Sequence, residues 1–123
     1  MARVVTLLGG ESTGKTSLAH ALCERLNDQG VTACVVPEHL RLWCETRGRA
    51  PRADEQAELA QAQARLIDEA ATRQDVQVVL ADTTPLVIAA YSELYFDDMG
   101  LLPEARDWQR RIDLTLLMGL DLP

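Results

Sequence analysis

Residues 9–16 read Gly9-Gly10-Glu11-Ser12-Thr13-Gly14-Lys15-Thr16 and fit G-x-x-x-x-G-K-[ST], the pattern of a phosphate-binding P-loop. The chemistry follows from the residue types. Glycines let the backbone fold tightly, so that successive N–H groups converge on an anion. The helix that opens at about Gly14 adds the positive end of its dipole. Lys15 is then placed to reach the β- and γ-phosphates and the Thr16 hydroxyl to ligate Mg²⁺, and residues 9–16 together with Ser17 are the cofactor-binding candidates. Lys15 is the only lysine in the chain, the other 11 of the 12 basic residues being arginine. A composition biased toward arginine explains the 11. The one exception falls where a compact ammonium fits and a planar guanidinium would crowd the loop. ATP and Mg²⁺ are the expected ligands.

Two carboxylates add to this. Asp82 directly follows the apolar run Val78-Val79-Leu80-Ala81. An acidic residue at the tip of an apolar strand is what a P-loop enzyme uses to hold Mg²⁺, directly or through water. Capping of the next helix, by Asp82 or by the neighbouring threonines, is the competing role. Glu38 holds the corresponding place after the second apolar run, with Arg41 three residues on. Its carboxylate is a candidate acceptor for the proton of an attacking hydroxyl; the alternative is a surface Glu–Arg pair worth roughly a few tenths of a kcal/mol. Lys15, Glu38 and Asp82 are the catalytic candidates, and which carboxylate is the base stays open.

An acceptor needs contacts of its own. Gln56 and Gln63 flank a stripe of small residues, and either is a substrate-contacting amide or a solvated flank; the pattern favours the flank. A base or pyridinium ring needs a flat partner for stacking or cation–π contact. Trp43, close after Glu38, and Tyr91 or Tyr95, after Asp82, are the candidates, with core packing the commoner fate of such residues. Phe96 and Trp108 complete the aromatic set. His20 and His39 show neither triad nor metal spacing, and His20 reads as structural.

These groups must be carried by strands and helices. Val4–Leu8 is continuously apolar, as in a parallel strand buried on both faces. Residues 15–28 are helical, with Leu18, Leu22 and Leu26 at i, i+4 spacing and Gly30 as the stop. A second strand is expected over Val31–Val36, a short helix over His39–Thr46 and a turn over Arg47–Arg52. The longest helix is expected over Ala53–Thr72, with Ala57, Ala60, Ala64, Ile67 and Ala71 as its narrow packing stripe. A third strand follows over Val76–Ala81. Thr84 as N-cap and Pro85 at the first helical position start a helix to about Tyr95. Pro103 opens another to about Arg110, and Ile112–Met118 is the fourth strand. Alternating strands and helices predict βαβ units, right-handed crossovers and a parallel sheet, with ligands at the carboxyl ends of the strands.

At 123 residues the chain reads as a single α/β domain, with 47 % hydrophobic and 25 % charged residues. Its net charge of −7 and the lack of a basic cluster argue against nucleic-acid and anionic-membrane partners. Three cysteines without C-x-x-C spacing argue against a disulfide framework or zinc site, and Cys23 and Cys34 read as buried small hydrophobes. A strand at the amino terminus, with no apolar span, predicts a cytoplasmic protein.

In its motif blocks the chain resembles the kinase part of bacterial NadR proteins, the nicotinamide riboside kinase-like branch of the P-loop nucleoside kinases. The blocks are residues 9–16, Glu38-x-x-Arg41, Gln63, Asp82-Thr83 and Asp113-Leu114-Thr115-Leu116-Leu117. The resemblance implies a three-layer P-loop fold and ATP-dependent phosphorylation of the 5′-hydroxyl of nicotinamide riboside, a step of NAD biosynthesis. It places Lys15 and Thr16 on phosphate and Mg²⁺, Asp82 in the metal site, and Glu38 and Arg41 toward the nucleoside, with Gln63 among the matched blocks. Two departures stand out. Thr84-Pro85 follow where the family carries a second acidic residue. The family also continues into an arginine-bearing lid and a last strand, so residues 1–123 are expected to form a domain incomplete at its carboxyl end. Competing readings are a kinase of another nucleoside or small hydroxyl compound, and an ATP-binding regulatory module without turnover.

Overall fold

The apolar runs become the strands of a parallel sheet, whose central positions are covered by helices and favour apolar side chains. In the computed structural model, which describes residues 2–8 and 14–117, β1 (Arg3–Leu8), β2 (Ala33–Val36), β3 (Val78–Ala81) and β4 (Leu114–Leu117) form one sheet. Its order is β2-β3-β1-β4 and every pair is parallel. The helices are α1 (Lys15–Asp28), α2 (His39–Arg47), α3 (Gln56–Ala71), α4 (Pro85–Phe96) and α5 (Leu102–Gln109). This is the three-layer α/β arrangement of a P-loop kinase-like fold.

Register decides which side chains share a face. Val4 pairs with Val79, Cys34 with Val79, and Val36 with Ala81. These residues pack with Ile67 and Ala71 of α3 and Trp108 of α5 in the main core. Strand alternation sends Val5, Leu7, Val35 and Leu80 to the other face, and α1 packs against β1, β2 and β3. A second cluster joins Leu59 and Ala60 of α3 to Ile88 of α4, with Leu40 and Trp43 of α2 against it.

β2, β3 and β4 are shorter than their apolar runs, and hydrogen bonding explains it. Gly30, at φ +85°, ends α1: the Gly30 N–H donates to Asn27 O and the Val31 N–H to Leu26 O, a Schellman closure that withdraws Val31 from the sheet. The Thr32 N–H goes to Gln77 Oε1, while the N–H groups of Gln77 and Val78 both go to Thr32 O. The β2–β3 ladder therefore starts at Ala33 and Val78. At β4 the Ile112 N–H is taken by Gln109 O, and the Asp113 carboxylate accepts the Val4 N–H at 2.8 Å. Met118 lies outside the described residues.

The long helix also starts later than its pattern. Ala53–Glu55 is a 3₁₀ turn, because the Arg52 N–H donates to Glu55 Oε1 and the Glu55 N–H to Arg52 O. The face that α3 buries is Gln56, Leu59, Ala60, Gln63, Ile67 and Ala71. Ala57 is exposed and Ala64 half-buried, so the stripe of small residues is corrected to a face carrying two glutamines. Cys23 and Cys34 are half-buried, less enclosed than expected, and Cys44 is half-buried as well. Burial pushes the Cys34 thiol up from its ordinary value, with Arg73 opposing. No helix among the described residues is long and apolar enough to cross a membrane.

Candidate functional site

Gly9, Gly10, Glu11, Ser12 and Thr13 lie outside the described residues, so the site is built from Gly14 onward. Gly14 stands at the start of α1 with φ +83°, a left-handed conformation that suits glycine. Its carbonyl accepts the Leu18 N–H at 2.9 Å. Among the described residues no side chain caps α1, and no acidic residue sits in its first turn. The first N–H groups and the positive dipole end are left for an anion. Lys15 is 8 % exposed and has no carboxylate partner among the described residues. A buried ammonium without a counter-ion is costly, and an incoming phosphate removes that cost. Thr16 is half-buried and Ser17 exposed.

Asp82 follows β3 on the face that Leu80 shares, the face of α1. There its Oδ2 accepts the Thr16 hydroxyl at 2.6 Å. The side chain is 3 % exposed, and Oδ1 is buried with no hydrogen-bond partner among the described residues. Such an oxygen calls for a missing partner. One hydroxyl and one carboxylate with a spare oxygen fit Mg²⁺, which takes few protein ligands and leaves its other positions to phosphate and water. No group of three or more His, Cys, Asp or Glu gathers among the described residues, so no all-protein cage is offered there. The capping alternative falls away: Thr84 is the N-cap residue of α4 by backbone, and no side chain caps that helix. The hydroxyls of Thr83 and Thr84 are buried without partners among the described residues instead.

Glu38 opens α2 beyond the tip of β2, in extended conformation. Its carboxylate lies 3.6 Å from Arg41 Nη2; the Glu38 side chain is 15 % exposed and that of Arg41 58 %. The Glu–Arg pair is therefore present, with its acidic member largely enclosed. The Asp82 N–H donates to Val36 O at 3.0 Å, which fixes the tip of β3 beside that of β2.

Gln63 is fully buried. Its Oε1 accepts the His39 N–H at 2.9 Å, while Nε2 donates to Pro37 O at 3.3 Å and Thr83 O at 3.4 Å. Both expectations for it are corrected: it is not a solvated flank, and its amide is committed to main chain with no surface for a substrate. Gln56 is likewise buried at 6 %. Trp43 is half-buried, with Arg47 Cζ 4.9 Å and Arg49 Cζ 5.0 Å from its ring centroid. Tyr91 is half-buried and stacks on the exposed Tyr95, with ring centroids 6.0 Å apart. Trp108 is a core residue whose indole N–H points at Asp68.

Two features went unread in the sequence. Arg47 falls four residues after Trp43 on the same helix, a spacing that signals contact. Arg49 and Glu55 form a two-bond pair at 2.7 and 2.9 Å across a loop, for which no local signal exists. A cleft of about 310 Å³ also opens between α3 and α5, lined by Ala60, Ala64, Pro85, Leu101, Ala105 and Trp108 among others. None of the expected site residues lines it.

Among solved structures the chain is similar to a NadR protein in complex with NR, with TM-score 0.79 and 28 % identity over 94 % of this chain and 33 % of that one. It is similar to a NadR protein in complex with NAD and AMP-PNP, with TM-score 0.78 and 27 % identity over 94 % and 34 %. A mutant of the Mycobacterium tuberculosis APS kinase CysC shares the fold, with TM-score 0.56 and 18 % identity over 97 % and 76 %. The chain spans about a third of the length of the NadR chains. No curated protein sequence matches it. The resemblance to NadR-type proteins expected from the motif blocks is thus borne out in three dimensions. The profile of a family described as AAA domain matches residues 4–122, and the chain belongs to that family.

Proposed function

We propose that this chain is an ATP-dependent kinase that transfers the γ-phosphate of ATP to the 5′-hydroxyl of nicotinamide riboside or a similar nucleoside. The observation that carries the proposal is the 2.6 Å contact of Thr16 Oγ1 with Asp82 Oδ2 beside a buried lysine at the start of α1. Similarity to a NadR protein in complex with NR supports the choice of acceptor.

Lys15 and the first turn of α1 bind the phosphate tail and hold it against the strand tips. Thr16 and Asp82 would hold Mg²⁺, which when bound there neutralises charge on the β- and γ-phosphate oxygens. Because Asp82 Oδ2 is engaged by Thr16, Glu38 is assigned as the base. The acceptor oxygen bonds to the γ-phosphorus as the bond to the β,γ-bridging oxygen breaks, ADP leaves, and the hydroxyl proton passes to the Glu38 carboxylate. Arg41 keeps that carboxylate oriented, and Trp43 and Tyr91 offer flat faces to the acceptor ring. Positioning and charge compensation supply most of the rate. The partners are small molecules, with neither nucleic acid nor membrane involved, and the compartment is the cytoplasm.

The test is Mg-ATP turnover with nicotinamide riboside, with a panel of other nucleosides, and without acceptor. Turnover with the riboside is expected. Turnover confined to another acceptor would reassign the substrate, and tight ATP binding with no acceptor-dependent turnover would refute the kinase reading.

A further inference from the structure

Trp43 is half-buried and packs, with Leu40, against the cluster of Leu59, Ala60 and Ile88. Its π face already carries positive charge, since the guanidinium carbons of Arg47 and Arg49 stand 4.9 and 5.0 Å from the ring centroid. The two arginines are not equivalent. Arg49 is clamped: Nη1 and Nη2 donate to the two oxygens of Glu55 at 2.7 and 2.9 Å, and Nη1 also reaches Ala50 O at 3.2 Å. Glu55 is anchored in turn, accepting the Arg52 N–H at 2.8 Å. Its carboxyl is held down at about 2, chiefly by the Arg49 hydrogen bond, so the Arg49–Glu55 pair stays close to neutral as a unit. Arg47 is exposed and, among the described residues, has no ion pair or hydrogen bond. Its cation–π contact is all that holds its head group over the ring.

We propose that Arg47 is an internal competitor for the Trp43 ring, a planar cation that occupies the seat of the acceptor's ring until the acceptor displaces it. This rests on the reading of the acceptor above. Two consequences follow from the chemistry. The seat favours a planar cationic ring over a neutral one of the same shape, because the indole quadrupole attracts charge. Removing Arg47 takes away the unclamped one of the two guanidinium groups over the ring, so that a ring binds without first breaking that contact.

The probes are 1-methylnicotinamide, a pyridinium cation, and nicotinamide, its neutral counterpart. Each is titrated against the full chain by tryptophan fluorescence, with W43F identifying the signal that belongs to Trp43. Wild type is expected to bind the cation more tightly than the neutral ring. R47A is expected to bind the cation about two- to fivefold more tightly than wild type, the size of an exposed cation–π contact. R47Q should act in the same direction, and ATP affinity and thermal midpoint should not move. Unchanged or weaker binding of the cation by R47A and R47Q would overturn the inference, as would equal binding of the two probes in wild type. If nicotinamide riboside is not phosphorylated while the probes behave as expected, the reaction reading fails and the competitor role stands.

Discussion

The side-chain oxygen of Gln63 accepts the His39 N–H at 2.9 Å, tying the middle of α3 to the first residue of α2. The same amide donates to Pro37 O and Thr83 O, so one side chain holds together the chain beyond β2 and beyond β3. Glu38 and Asp82 flank these bonds in sequence, and their spacing depends on them.

Gln63→Ala takes the side-chain partner from two carbonyls and one N–H that surround a fully buried position. The variant is expected to lose about 1–3 kcal/mol of stability. Chemical denaturation should show it, together with a fall in kcat. A wild-type denaturation midpoint would mean that water satisfies the three groups.

Lys15→Ala is expected to keep the fold and to lower turnover by at least about a hundredfold, as when other single charge-stabilising groups are removed. Steady-state kinetics and circular dichroism are the measurements. A wild-type rate would end the assignment of the phosphate site.

Asp82→Asn keeps the shape of the side chain but removes its charge. Binding of ATP without metal should persist, while the gain in ATP affinity on adding Mg²⁺ should shrink by about tenfold or more. Calorimetric titrations with and without Mg²⁺ read this directly. An undiminished metal effect would mean that the metal is held elsewhere.

Glu38→Gln is expected to lower kcat by about 10²–10⁴-fold with ATP binding retained. If only the thermal midpoint moves, Glu38 serves as the partner of Arg41 and not as the base.

Glu55 gives a prediction in pH. Its folded value is lowered from 4.5 to about 2, first by the Arg49 hydrogen bond and then by the Arg52 N–H. The stabilisation is therefore complete above about pH 4.5 and is lost as the pH falls toward 2. Urea midpoints of wild type and Glu55→Gln at pH 5, 3 and 2 should differ most at pH 5 and converge at pH 2. A constant gap would show that the pair contributes nothing dependent on ionisation.

Much of the molecule could be read from local pattern. Apolar runs, helix spacing and the Gly30 stop are set by neighbours in sequence, so the four strands, the helices and their order followed from residue types alone. The phosphate-binding pattern was equally legible, because its chemistry is compressed into residues 9–16. Tertiary structure decided what depends on partners far apart in the chain. The order β2-β3-β1-β4 set Thr16 against Asp82, 66 residues away. Gln63 had the polarity of a surface residue and became fully buried, because main-chain groups of two other segments met all its hydrogen-bonding needs. Trp43 was legible as a flat face, but that Arg49 stands over it depended on a loop closed by Glu55. Local interactions are written in spacing along the chain, whereas such meetings arise only when the sheet assembles.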